Sequence, residues 1–181
     1  MASNQAELEE IDSSDDQENS PEVGMKVVTF TLGEDVYGID IMSLREIRVW
    51  AETTSLPNTP DFVMGVVNLR GVIVPVFDLR GRFGRGMTTP TKTHAVIIVA
   101  IDSRTVGILV DSVSDIIELN DDQIRPVPEM EHKQESAFLS GLATVNGQMV
   151  SMIATEPLFG KEAVNMLSFA PDNQSQAQPD S

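Results

Sequence analysis

The 181-residue sequence contains no cysteine, only two histidines, and only twelve basic residues against twenty-eight acidic ones. The absence of cysteine excludes disulfides, thiolate nucleophiles and cysteine-ligated metals. The formal net charge of −16 argues against nucleic acid as a partner, because phosphate binding depends on clustered Lys and Arg. The longest apolar run, Ala95–Ile101, is too short to cross a bilayer. We therefore expect a soluble, intracellular protein without direct membrane insertion.

The sequence also has few candidate catalytic or metal-binding residues. His94 lies at the start of a predicted strand and His132 in a charged loop, and neither belongs to a nucleophile elbow or a His-x-x-x-His pair. The acidic residues after position 110 lack the spacing of a calcium-binding loop. The sequence predicts a protein that is not an enzyme and has no metal site.

Both ends of the sequence differ in composition from the middle. Residues 1–24 hold eight acidic residues and no Lys or Arg, which is typical of a disordered acidic tail. Residues 167–181 are mostly polar and are also predicted to be a disordered tail. The folded region is then residues 25–166.

An internal repeat organises this folded region. The segment Phe138–Val150 aligns with Phe62–Val74 without a gap, and the Phe, Gly, Gly and Val residues coincide. Upstream, Thr105–Ile116 matches Val36–Ile47 in the same order. Two matches in the same order indicate a duplicated module.

The second half of each repeat has the pattern of a β-hairpin. Arg70-Gly71 separates two apolar runs in the first copy, and Asn146-Gly147, a strong hairpin signal, takes that place in the second. We expect Gly71 and Gly147 to adopt the positive φ that a tight turn requires. Pro75 suggests that the second arm of the first hairpin is an edge or bulged strand.

The strands between turn signals are short, and no long helical period separates them, which favours small antiparallel barrels. Units of about 65 residues bury little surface alone, so we expect two of them to share a core. The predicted fold is all-β, with short helices and two packed five-stranded barrels at about 25–88 and 93–160. Some strand sharing between the barrels is left open.

Several motifs at consistent spacing resemble one family. They are Phe30-Thr31-Leu32-Gly33, Tyr37-Gly38-Ile39-Asp40-Ile41, Glu46-Ile47-Arg48, Asn58-Thr59-Pro60, Asn68-Leu69-Arg70-Gly71-Val72-Ile73-Val74-Pro75 and Gln123-Ile124-Arg125-Pro126. Together they resemble the CheW family of chemotaxis coupling proteins over about Met25–Leu158. The resemblance implies two SH3-like barrels, with no catalysis and no cofactor. It also implies a cytoplasmic adaptor, recruited to membrane-associated arrays, that links methyl-accepting chemoreceptors to the regulatory domain of the histidine kinase CheA.

The resemblance also implies two sets of contact residues. The expected receptor-binding residues are Ile41, Leu44, Glu46, Ile47 and Arg70. The expected kinase-binding or ring-binding residues are Arg125, Glu129 and Met130, and other CheW copies are a further partner left open. From the residues alone, Ile41 and Ile47 could instead be core residues, and Arg70 could cap its turn, pair with Glu46 or meet a partner.

Two alternative functions remain at this point. A coupling protein of a separate CheA-type pathway, such as one for surface motility, fits the same motifs. The basic residues between Arg70 and Lys92 would also suit a small oligonucleotide-binding β-barrel.

Overall fold

A computed structural model describes residues 24–129 and 134–160 of the chain. Both predicted tails lie outside these residues, except for Gly24. The described residues form eleven strands: β1 Met25–Leu32, β2 Asp35–Asp40, β3 Leu44–Val49, β4 Val63–Leu69, β5 Val72–Asp78, β6 Ala95–Ile101, β7 Arg104–Val110, β8 Ser112–Leu119, β9 Ile124–Arg125, β10 Leu139–Val145 and β11 Gln148–Ile153. The helices are short: α1 Leu79–Arg82, 3₁₀ turns at Ile41–Ser43, Asp121–Gln123 and Gln134–Phe138, and a helical turn at 155–160.

The strands form two mixed sheets. The first sheet has the order β8-β1-β2-β11-β10-β9, and the second sheet has the order β3-β6-β7-β5-β4. The predicted all-β class with short helices is thus confirmed. The first sheet has a sixth strand because the two-residue β9 pairs with β10.

Each repeat contributes its first β-hairpin to the sheet that holds the remaining strands of the other repeat. These hairpins are β1–β2 and β6–β7. In the first sheet β1 pairs with β8 antiparallel and β2 with β11 parallel. In the second sheet β6 pairs with β3 antiparallel and β7 with β5 parallel, which is the same pattern with the repeats interchanged. The ranges 25–88 and 93–160 therefore each supply strands to both sheets, which is the strand sharing that the sequence left open.

Strand exchange explains where the core lies. In β6, Val96 and Ile98 belong to an apolar cluster on one face of the second sheet. Ile97 and Val99 point to the opposite face and belong to a cluster formed by both sheets. Alternate side chains of a strand point to opposite faces, so a strand buried on both faces must be apolar throughout. A third cluster lies inside the first sheet around Val27. The expected shared core is therefore present between the two sheets.

The two β-hairpin turns have matching backbone conformations. Arg70 and Gly71 have φ of 51° and 87°, and Asn146 and Gly147 have φ of 51° and 78°. Two successive left-handed residues form a two-residue type I′ turn, whose twist suits the flanking strands. Pro75 does not lie on an edge strand, because β5 pairs with β4 on one side and with β7 on the other. The pairing of β5 with β7 begins at Val76, one residue after Pro75.

Candidate functional site

An ion-pair cluster joins the two edges of the second sheet. Glu46 lies on β3, and its carboxylate accepts a hydrogen bond from Arg70, in the turn that follows β4. The second carboxylate oxygen, Oε1, lies 3.3 Å from Nη1 of Arg48. The side chain of Arg70 is 79% exposed and that of Glu46 is 26% exposed. Exposed pairs of this kind add at most about 1 kcal/mol to folding stability, so the cluster contributes little to the stability of the fold.

The apolar members of the predicted receptor set differ in burial. Ile41 and Leu44 are partly buried and pack against the shared core. Ile47 is 44% exposed and is therefore not a core residue. The two neighbouring apolar residues Met42 and Val49 are more exposed still. Glu46 and Ile47 point to opposite faces of β3, so the fixed charges and the exposed aliphatic side chains are combined only along this edge of the second sheet.

Sequence reasoning did not select Arg48 or Val49 for this surface. A signal was present, because the alternation of a strand places residues 46 and 48 on one face and residues 47 and 49 on the other. The structure shows Arg48 in contact with Glu46 and Val49 exposed to solvent.

Of the second predicted set, Arg125 lies on the other sheet and Glu129 lies in the loop after β9. Arg125 is exposed on β9, at an edge of the first sheet, where its backbone pairs with Leu142 of β10. Glu129 is also exposed. Met130 lies outside the described residues. The chain thus carries the two candidate contacts on different sheets.

A polar network near the β1–β2 turn was not foreseen. The buried Tyr37 hydroxyl donates to the Glu135 carboxylate, whose Oε2 also accepts from Nε of Arg85 at 3.0 Å. Nη1 of Arg85 lies 2.6 Å from Oδ2 of Asp35. Burial, and then the hydrogen bond to Glu135, raise the pKa of Tyr37 well above its ordinary value. The network fixes the 3₁₀ turn Gln134–Phe138 against β2.

The remaining titratable contacts tie chain segments together. Nε2 of His94 lies 3.7 Å from Oδ1 of Asp111. Arg80 donates to both carboxylate oxygens of Asp111, and the backbone N–H of Gly33 donates to Oδ2. Nδ1 of His94 accepts from the N–H of Thr91 at 3.0 Å. Within residues 24–129 and 134–160, no three His, Asp or Glu side chains converge as metal ligands. In the same part of the chain, no helix has the length and hydrophobicity of a transmembrane span.

Comparisons with known proteins agree with this architecture. Residues 26–163 match the family model described as the CheW-like domain. The chemotaxis protein CheW of Klebsiella aerogenes is 41% identical over 145 residues, which cover 80% of this chain and 87% of that protein. The crystal structure of the scaffolding protein TtCheW from Thermoanaerobacter tengcongensis is similar, with a TM-score of 0.70, 37% identity, and coverage of 75% and 92% of the two chains. A weaker match is protein FrzA of Myxococcus xanthus, 25% identical over 141 residues, covering 78% of this chain and 80% of FrzA.

Proposed function

The chain belongs to the CheW family, and from this premise we propose that it is a non-enzymatic adaptor that couples methyl-accepting chemoreceptors to the histidine kinase CheA. The observation that carries the proposal is the match of residues 26–163 to the CheW-like domain, a range that includes every residue of both candidate contact surfaces. An adaptor of this kind needs two binding surfaces and no reactive group.

The proposed receptor contact is the surface around Glu46. Its proposed members are Ile41, Leu44, Glu46, Ile47 and Arg70. The exposed Ile47 can bury against an apolar stripe of a receptor helix, while the Glu46–Arg70 pair fixes the register of that helix. Along the same strand, Arg48 extends the charged face and Val49 extends the apolar face.

The proposed kinase contact is the edge of the first sheet at Arg125, together with Glu129 in the loop after β9 and Met130, which are included on the resemblance alone. Because this edge and the Glu46 surface lie on different sheets, both partners can be bound at once. The adaptor can shift kinase activity only if it binds the active and inactive arrangements with different affinities. The same edge is also the candidate contact for other CheW copies.

Such an adaptor would work in the cytoplasm and would reach the membrane only through its receptors. Co-sedimentation of the purified chain with receptor signalling fragments and with CheA, separately and then together, tests the proposal. We expect binding to each partner and a complex of all three. Binding to neither partner would contradict it.

A coupler for a separate CheA-type pathway is the second candidate, and the match to FrzA favours keeping it. Competition between the CheA-type kinases of one cell for the purified chain separates the two, since the cognate kinase should bind most tightly.

The oligonucleotide-binding alternative is weakened by the contacts of its basic residues. Arg80 pairs with Asp111, and Arg85 pairs with Asp35 and Glu135. Arg82 stacks between two phenylalanine rings and donates to a backbone carbonyl. These guanidinium groups are already engaged and would have to give up their partners to bind phosphate. A salt-sensitive complex with single-stranded RNA in a filter-binding assay would revive this alternative.

A further inference from the structure

A pocket of about 440 Å³ lies at one end of the first sheet, outside both proposed contact surfaces. The start of β1, the end of β2 and the end of β11 border it, together with the helical turn at 155–160. Its larger apolar side chains are Met25, Ile124, Met152 and Ile153. Met152 and Ile153 are buried, whereas Met25 and Ile124 are partly exposed. A pocket of this size admits a short peptide segment.

The repeat identifies the equivalent place on the second sheet. The N–H of Asp78 donates to the carbonyl of Phe62 at 2.7 Å, and the N–H of Ala154 donates to the carbonyl of Phe138 at 2.8 Å. Asp78 ends β5 before α1, and Ala154 follows β11 before the helical turn at 155–160. Asp78 and Ala154 therefore hold the same position in the two repeats.

On the second sheet this place is covered by the chain that follows α1. The buried carboxylate of Asp78 accepts from the N–H of Thr88 at 2.6 Å and from its hydroxyl at 2.7 Å. A Cβ atom at Gly81 would lie 2.7 Å from the sulfur of Met87, so the same segment packs directly on α1.

The first sheet lacks the group that anchors such a cover. The positions of Asp78 and Gly81 correspond to Ala154 and Pro157, which both line the pocket. Because Ala154 has no carboxylate, it cannot hold a covering segment in the way that Asp78 holds Thr88. The pocket is thus the open counterpart of a place that the second sheet closes.

The charged groups of the pocket are acidic. Asp40 and Glu156 line it, and the described residues of its lining include no Lys, Arg or His. Within residues 24–129 and 134–160, neither carboxylate forms an ion pair. Arg45 of β3 does not line the pocket. Arg125 of β9 points away from the cluster inside the first sheet, because its neighbour Ile124 packs into that cluster.

The adjoining pocket does not reverse this charge. It shares Met25 and Asp40 with the first pocket and also contains Lys26 and Asp121. Lys26 lies directly opposite Glu118 in the β1–β8 pairing, where opposite charges attract. Negative charge beside apolar side chains is complementary to a cationic group flanked by aliphatic ones.

We propose that this pocket binds a segment of a protein partner in which a Lys or Arg lies beside an aliphatic side chain. The cation pairs with Asp40 or Glu156, and the aliphatic group lies on Met152 and Ile153. The kinase is the expected partner, because Ile124 of the pocket is adjacent to Arg125 on β9. This last assignment rests on the proposed function, whereas the binding of such a segment does not.

Methionine methyl groups provide the test, because Met25 and Met152 line the pocket and Met64 and Met149 do not. The full-length chain, ¹³C-labelled at its methionine methyl groups, is titrated by NMR with the probe peptide Ac-Ile-Arg-Ile-NH2 and with the matched peptide Ac-Ile-Glu-Ile-NH2. The first peptide should shift the Met25 and Met152 signals saturably and leave those of Met64 and Met149 in place. The second peptide should shift none of the four. If the first peptide leaves Met25 and Met152 unchanged, or shifts all four signals alike, the proposal is wrong.

The charge requirement has a matched pair of variants, each of which removes two carboxylates. D40N/E156Q should weaken binding of the arginine peptide roughly tenfold, and Asp40→Asn keeps a side-chain oxygen to accept from the N–H of Met42. E34Q/D61N alters two exposed residues outside the pocket and should change the affinity by less than about twofold. Equal losses in the two variants would show attraction by net charge alone and would overturn the site.

Binding to CheA tests the assignment of the partner. D40N/E156Q should weaken CheA binding and leave receptor binding unchanged, and E34Q/D61N should change neither. If D40N/E156Q weakens peptide binding but not CheA binding, the kinase is not the partner. A chain that binds CheA but does not bind the arginine peptide would refute the pocket and leave the proposed function standing.

Discussion

Replacing the turn glycines by valine tests the duplicated architecture through its two hairpins. Gly71 has φ of 87° and Gly147 has φ of 78°, a region in which a β-branched residue is strained. A Cβ atom at either position would meet no other atom within 4 Å. The cost of Gly71→Val or Gly147→Val therefore comes from the backbone conformation alone, and we expect each to lose roughly 1–3 kcal/mol of unfolding free energy.

Urea unfolding measures this loss directly. With a denaturant slope of roughly 1–3 kcal/mol per molar, a loss of about 2 kcal/mol lowers the midpoint by about 1 M. Gly71→Asn and Gly147→Asn serve as controls, because asparagine tolerates the left-handed region better than valine and should restore most of the stability.

The two turns should respond alike, since they occupy equivalent places in the repeat. If Gly71→Val destabilised the protein and Gly147→Val did not, the equivalence of the two hairpins would be refuted. If the asparagine variants were as damaging as the valine variants, the argument from backbone conformation would fail.

Two further predictions concern stability. Deleting Met1–Gly24 should change the unfolding free energy by less than about 1 kcal/mol in a thermal melt, because this acidic segment has few apolar side chains to offset the entropy of ordering. Tyr37→Phe should cost about 1 kcal/mol by removing the hydrogen bond to Glu135. Because the folded state raises the pKa of Tyr37, the neutral phenol stabilises the fold below the ordinary pKa of about 10, and this stability is lost as the pH rises above it. Ultraviolet absorbance reports this ionisation from the single tyrosine, and phenolate formation near pH 10 in the folded protein would refute the burial argument.

The hairpins and the repeat were predictable because their signals are local. Asn146-Gly147 and Arg70-Gly71 fix their turns by the conformations that they allow, and strand alternation marks the flanking residues. The exchange of hairpins has no such signal. It depends on parallel pairs such as Val36 with Val150, whose partners are far apart in sequence and separated by many other strands.

The candidate site was predictable in part for the same reason. The sequence left open whether Arg70 caps its turn, pairs with Glu46 or meets a partner. In the structure Arg70 pairs with Glu46, across the gap between the two edge strands β3 and β4 of the second sheet. The cation Arg48, which also contacts Glu46, was missed. Burial of Ile41 and exposure of Ile47 required the packing of the shared core, which no local pattern specifies.

The central claim is that one chain carries separable receptor and kinase surfaces. Titrating Glu46→Ala and Arg125→Glu against a receptor signalling fragment and against CheA yields four affinities. Glu46 is partly exposed and Arg125 is exposed, so neither change should alter the melting transition. We predict that Glu46→Ala weakens receptor binding and leaves CheA binding intact, and that Arg125→Glu does the reverse. Loss of a central contact costs about 2 kcal/mol, or roughly 30-fold in affinity. Parallel losses of both partners, or a receptor effect of Glu46→Ala below about threefold, would contradict the account.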